Sequence, residues 1–520
     1  VTRFAHLASS LTLPLQGADE AFEPIPAPDI EWSMILPLLV LVGAALGIMT
    51  LTAVNRRPLF HGFYPLATSV AAIAAAVCTW PMWDRVQDPD RGPFTALAGA
   101  VGVDGFSVFM TVVICSSVLV AALLADGYLR REGLDGPELY VLVLLSASGG
   151  VVMASANDLI VLFLGLEILS LAVYTLAAMH LRRITSQEAG LKYFVLGSFA
   201  SAFLLYGIAL TYGATGSTNL VEILSYLTRV ALFDNGILLA GMAMLLVGLL
   251  FKVAAAPFHA WTPDVYQGSP TPVVAYMASG VKAAGFAGLI RVLYLGFQTY
   301  RVDWQPVIYA VAIVTLLVGA LMAVVQTDVK RMLAYSSINH AGFILVAVQA
   351  ATDRGVQASM FYLASYTFLV GGSFAIVAVV GRAGDDRHTL DDYRGLARSR
   401  PALALIFALL LFSQAGVPFT SGFFAKFYAI AAAVDAGSYP LAAIAMLTAV
   451  IAAFLYLRIT VSMFLGDVDD ADVPDRRTLP VPVGAGLALA ICVAVTLGVG
   501  LFPHVLTGPA GDATAVLVGF

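Results

Sequence analysis

Apolar runs of about twenty residues, separated by short polar loops, fill most of this 520-residue chain. A run of that length fits a helix crossing a bilayer core of about 30 Å at about 1.5 Å per residue. Fourteen spans are predicted: 33–54, 62–80, 102–125, 138–155, 159–180, 188–213, 237–267, 271–296, 305–325, 331–350, 357–380, 401–434, 439–465 and 480–503. Two of them, 237–267 and 401–434, are too long for one straight crossing, and each contains a proline, Pro257 or Pro418. Proline has no N–H to donate. The carbonyls of Val253 and Gln414 therefore lose their helical donors, and both spans are predicted to break.

The two long spans resemble each other. GLLFKVAAAPF starts at Gly248 and LLLFSQAGVPF at Leu409, 161 residues on. An odd number of spans separates them, so the copies enter the bilayer from opposite sides, as in inverted-repeat transporters. The predicted fold is an all-α polytopic membrane protein of about fourteen transmembrane helices. It contains two inverted five-helix repeats, each with a broken helix. An external tail (1–32) leads into a three-helix segment (33–125). The first repeat (138–296, spans 4–8) and the second (305–465, spans 9–13) follow. A C-terminal span (480–503) and a second external tail (504–520) complete the division.

Composition narrows the function. Charged residues make up 12 %, against about 25 % in soluble domains. Net charge is −6 and no Lys/Arg cluster is dense enough for a polyphosphate, which excludes nucleic acid as a partner. The three cysteines lie far apart in apolar runs, with none of the spacing a metal or iron–sulfur site needs. Alternate loops carry fifteen and six Lys/Arg, with the larger set at 56–57, 130–131, 182–183, 330–331, 382–400 and 476–477. That set marks the cytoplasmic side, and both termini are then expected outside.

The charges inside the spans suggest the chemistry. The chain has 22 Arg and only 5 Lys, yet Lys252, Lys282 and Lys426 all fall within spans. A lysine taken out of water can exchange its proton, and an arginine cannot. Glu167 lies nine residues past Asp158, about 13 Å deep at about 1.5 Å per residue. Intramembrane groups of this kind mark proton relays. His259, just after Pro257, and His340, in a polar patch opening span ten, are further candidates to pass protons or order water.

Three stretches carry a resemblance. FKVAAAPFHAWTPDVYQGSPTPV (251–273), VKRMLAYSSINHAG (329–342) and GVPFTSGFFAKF (416–427) resemble hallmarks of the antiporter-like subunits of bacterial respiratory complex I, the proton-pumping NADH:quinone oxidoreductase. Lys426, where the M type has glutamate, and the absence of a long helix after the core resemble the N type. The resemblance covers spans four to thirteen.

The resemblance implies a charged pair between Glu167 and Lys252. It also implies a central relay at Lys282, an exit through Lys426, and His340 on the link between them. It implies no redox chemistry in this chain. FMN, iron–sulfur clusters and quinone are expected in partner subunits. Expected partners are the adjacent antiporter-like chain, small membrane subunits and the lipid of a bacterial plasma membrane. The same hallmarks occur in subunits of multi-subunit sodium/proton antiporters and membrane-bound hydrogenases, which stand as the alternative. A passive scaffold for redox partners is a third reading.

Overall fold

The computed structural model describes residues 30–55, 60–230, 235–465 and 481–514. It is helical apart from a small hairpin. The first segment comprises α1 (Leu36–Val54), α2 (Phe63–Val77), α3 (Trp80–Gln87), β1 (Phe94–Ala96), β2 (Val101–Val103) and α4 (Gly105–Glu132). The first half continues through α5 (Glu138–Ser155), α6 (Leu159–Ala177), α7 (Ile184–Thr215), α8 (Leu220–Arg229), α9 (Gly236–Lys252), α10 (Trp261–Gly268), α11 (Thr271–Tyr276) and α12 (Lys282–Arg291). The second half holds α13 (Arg301–Val324), α14 (Val329–Gln349), α15 (Asp353–Val380), α16 (Leu396–Ser399), α17 (Pro401–Ala415), α18 (Ser421–Asp435) and α19 (Tyr439–Leu465). Two helices close the chain, α20 (Val483–Leu501) and α21 (His504–Thr514).

Among the described residues, twelve helices are long and apolar enough to span a bilayer. The pairs α9–α10 and α17–α18 supply the two broken crossings. The number and order of spans follow the hydrophobic pattern. Three local features escaped it. α4 runs to Glu132, past the expected end at 125. The short helix α8 buries Leu220, Ile223 and Leu227 on one face, an amphipathic pattern rather than an apolar run. Residues 504–514, expected within an external tail, form α21, packed on α4 and α15. The expected tail at 1–32 lies almost wholly outside the described residues.

The halves match in detail. Asp158 caps the first turn of α6 through Ile160 N–H (2.7 Å), and Asp328 caps α14 through Arg331 N–H (2.9 Å). Each aspartate pairs through its backbone with the connector after the next long helix, Asp158 with Asn219 and Asp328 with Thr389. These four positions are related by a single shift of 170 residues.

Packing places the chemistry. The Thr271–Gly296 span and α14 are wholly enclosed by protein, and α15 almost so, whereas α1, α7, α13, α19 and α20 present much of their surface outward. The enclosed helices carry Lys282 and His340.

Candidate functional site

The first broken helix ends at Lys252. Ala254, in the left-handed region (φ 62°), turns the chain. The N–H groups of Ala254 and Ala255 then donate back to the carbonyls of Phe251 (3.1 Å) and Leu250 (2.9 Å). These two bonds form a Schellman cap. The second break repeats it, with Gly416 (φ 99°) as the left-handed residue. Gly416 and Val417 N–H donate to Ser413 and Phe412, both at 3.0 Å. Gly416 also leaves room for Lys426, since a Cβ there would lie 3.3 Å from the lysine Cδ. Thr315 Oγ1, from the second half, takes the Ala256 N–H at 3.0 Å and so ties the first break to α13.

Lys252, Lys282 and Lys426 are 3 %, 2 % and 6 % exposed. None reaches a surface as a snorkelling lysine would. The Lys252 amine donates to Ser170 Oγ (2.8 Å) and Tyr193 Oη (3.4 Å), and faces the rings of Tyr174 and Tyr193. Its stem lies against Gly285, where a Cβ would sit 3.3 Å from Lys252 Cγ. Gly285 is three residues beyond Lys282, so the first two lysines occupy adjoining helices. The Lys282 amine donates to the Ser337 carbonyl (2.6 Å) and Oγ (2.5 Å) and faces Tyr366. The Lys426 amine donates to the carbonyl of Ala415 at 3.0 Å. That carbonyl ends α17, where the helix dipole is negative.

His340 follows Ser337 by three residues on α14 and so shares its face. Its Nδ1 lies 2.7 Å from Tyr362 Oη and its Nε2 3.1 Å from Tyr456 Oη. Tyr456 continues to Ser336 Oγ (2.7 Å), and Ser336 to Gln414 Oε1 (3.4 Å). Gln414 neighbours Ala415, the acceptor of Lys426. Buried polar side chains thus connect the setting of Lys282 to that of Lys426.

Two expected residues stand apart from this line. Glu167 is half-buried, and among the ion pairs of the described residues none joins it to Lys252. Its Oε1 is buried without a partner. It lies one helical turn before Ser170, the residue that holds the Lys252 amine. His259 sits half-buried beside the exposed Pro257, with Nδ1 unpartnered. No side-chain hydrogen bond connects it to the lysines.

Sequence reasoning missed the hydroxyl and amide partners, namely Ser170, Tyr193, Ser336, Ser337, Tyr362, Gln414 and Tyr456. Ser170, three residues after Glu167, and Ser336–Ser337, in the patch around His340, carried a signal. The tyrosines carried none, since a tyrosine in an apolar span reads as packing. Lys330, placed in a loop from sequence, is fully buried and holds Asp385. Among the described residues no group of three or more His, Cys, Asp or Glu could hold a metal ion.

This geometry, two interrupted helices around a line of buried lysines, can be set beside known proteins. Residues 156–452 match the family described as NADH:quinone oxidoreductase/Mrp antiporter, TM. The chain belongs to this family. It is 41 % identical over 437 residues to the NADH-quinone oxidoreductase subunit N of Trichlorobacter lovleyi, covering 84 % of this chain and 88 % of that one. A second relative, NADH-quinone oxidoreductase subunit N of a Parafrankia species, is 38 % identical over 535 residues and covers 97 % of both chains. Among solved structures, a chain of respiratory complex I from Thermus thermophilus with bound aureothin superposes with a TM-score of 0.75 at 34 % identity. That match covers 92 % of this chain and all of the other. The matched stretch of this antiporter-family chain, 156–452, includes Glu167, all three lysines and both histidines.

Proposed function

We propose that this chain is the N-type proton-translocating membrane subunit of an NADH:quinone oxidoreductase. It moves protons while other subunits of the complex reduce quinone. The observation that carries this reading is the line of buried polar side chains linking three enclosed lysine amines across two interrupted helices. A passive anchor needs no such line, because replacing buried ions by apolar residues is often neutral for stability. A sodium/proton antiporter would need carboxylates for the cation, and Glu167 stands almost alone among the spans.

The relay runs from Lys252 to Lys282 and on to Lys426, with Glu167 controlling the first step. Ser170 and Tyr193 hold the Lys252 amine in one position, and Glu167, one turn away, offers it a charged alternative. A charge change in a neighbouring membrane subunit shifts the amine between them. Two ammonium groups cannot both be sustained at close range in low dielectric, so protonation of one lysine favours release from the next. The hydroxyls of Ser337, Tyr362, Tyr456 and Ser336, with His340 and Gln414, carry the proton over the longer second gap.

No electron passes through this chain, and FMN, iron–sulfur clusters and quinone belong to partner subunits. The chain is a multi-pass protein of the bacterial plasma membrane. It adjoins a second antiporter-like chain and small membrane subunits. The arginine-rich loops face the cytoplasm and both termini face outward. Arg131, Arg183, Lys330 and the 382–388 loop converge at one end of the molecule, which supports that orientation.

The test is Lys252→Ala in membranes with the complex intact. Protons moved per NADH oxidised should fall sharply. Normal pumping by a correctly assembled complex would refute the relay.

A further inference from the structure

The arginine-rich end of the molecule contains a cleft of about 340 Å³ that the relay does not use. Its walls are α7 (Thr185, Glu188, Lys192), α10 (Asp264, Gln267) and the 385–388 loop. At the mouth, Asp264 accepts from Lys192 (2.8 Å) and Arg331 (2.6 Å), which joins the two halves. At the floor lies Asp385, fully buried. Its carboxylate accepts from Thr271 Oγ1 (2.8 Å), Tyr128 Oη (3.1 Å), Arg183 (3.2 Å) and Lys330 (3.3 Å), and His388 Nε2 lies at 2.9 Å.

Two observations separate this floor from a plain structural lock. First, unpartnered polar atoms surround it. His388 Nδ1 and Ser269 Oγ have no partner, and both residues are more than nine-tenths buried. Lys330 donates to the Ser269 carbonyl as well (2.8 Å), so its amine already has a second seat away from Asp385. Second, the floor stands over the central lysine. Thr271 opens the enclosed span that carries Lys282. Lys330 precedes Ser337 by seven residues, about 10 Å along α14 at about 1.5 Å per residue. Ser337 holds the Lys282 amine, and Tyr266 and Tyr366 lie beside it. The other end of the Lys282 helix is shut by a dry pair, Arg291 with Asp104 at 2.5 Å, both buried. Lys282 is thus approached by a polar path from one face only.

We infer that this cleft is the aqueous port through which protons from the arginine-rich side reach Lys282, with the Lys330–Asp385 pair as its gate. The inference rests on the relay reading. With Lys330 on Asp385 the floor is closed. With Lys330 on the Ser269 carbonyl alone, Asp385 and His388 face the cleft and the path beneath opens. One hydronium gives up one O–H bond, water stays behind, and one N–H bond forms on the neutral Lys282 amine.

The experiment uses the assembled complex in inside-out vesicles, with Thr185→Cys on the exposed wall of the cleft. A charged, membrane-impermeant methanethiosulfonate is added, and protons moved per NADH oxidised are compared before and after. The ratio should drop on labelling and recover when a reductant removes the label. The same reagent should have no effect on the parent complex. An unchanged ratio after complete labelling, with Lys282→Met abolishing pumping, would overturn the port and leave the relay standing. Normal pumping by an assembled Lys282→Met complex would sink the relay, and the port with it.

Discussion

The two broken helices reach one electrostatic arrangement by different routes. In both, the first half-helix ends in the same cap and an ammonium sits at its C-terminal end. In the first half, that ammonium belongs to Lys252, in the last turn of α9. In the second, the matching cap position holds Gln414, and Lys426 reaches back from α18 to the final carbonyl of α17. The loops between the half-helices also differ, 253–260 against 416–420. What the halves share is the cost of ending a helix inside a bilayer, where orphan carbonyls need a donor. A lysine answers that need and is also a proton carrier. The difference shows that the location of the charge matters more than the residue number that supplies it.

The strongest test of this equivalence is Lys426→Met beside Lys252→Met. Each should abolish most pumping, measured as protons per NADH oxidised in assembled complexes. Loss in only one half would show that the halves do different work. The next largest effect concerns the connectors. The first connector uses hydroxyls and amides, with Thr218 on Asp158 and Asn219 on the Gly99 carbonyl. The second buries a charge, Asp385.

Asp385→Asn should destabilise the second half by about 3–5 kcal/mol, because Lys330 loses its counter-ion in the interior. Thermal unfolding of the solubilised complex measures this. Burial alone would raise the Asp385 carboxyl, but Lys330, His388 and Arg183 hold it far below its ordinary value of 3.8. A depressed carboxyl contributes stability that is complete above that value and lost as pH falls further. Acid melting between neutrality and pH 4 should therefore not involve this group, and below pH 4 the Asn variant should lose its disadvantage.

A smaller effect separates the caps. Gly416→Ala puts a Cβ in the left-handed region, at a cost of about 1–2 kcal/mol, and crowds Lys426. Ala254 already bears that strain, so Ala254→Gly should be neutral or slightly stabilising by the same melting measurement. Smallest of all, Arg354→Ala breaks an exposed ion pair with Asp435 and should change stability by less than about 1 kcal/mol. A larger loss would mean that the end of α18 supports Lys426 from a distance.

Much of this was legible in the chain. Fourteen crossings, two of them broken at Pro257 and Pro418, follow from the length of apolar runs and the missing proline donor. The three lysines stood out because ammonium groups are rare in such runs. The amphipathic helix α8 was not legible as a span, because its polar face interrupts the apolar pattern. The repeat was visible as an offset of 161 residues, yet the caps are related by 162, from Ala254 to Gly416. The first loop holds an extra residue, and short apolar matches slide past such a change.

Sequence alone determined that this is a membrane protein of two related halves with titratable charge in its interior, because hydrocarbon tolerates few residue types and each exception is conspicuous. Only the tertiary structure decided which groups those charges meet. Lys252 rests on Ser170 and not on Glu167, His340 joins two tyrosines from distant helices, and Lys330 leaves its expected loop for Asp385. The physical reason is that crossing a bilayer is a property of one helix, set by its own composition. A hydrogen bond of about 3 Å depends on how several helices pack, and an apolar run carries little record of which of its faces will be turned inward.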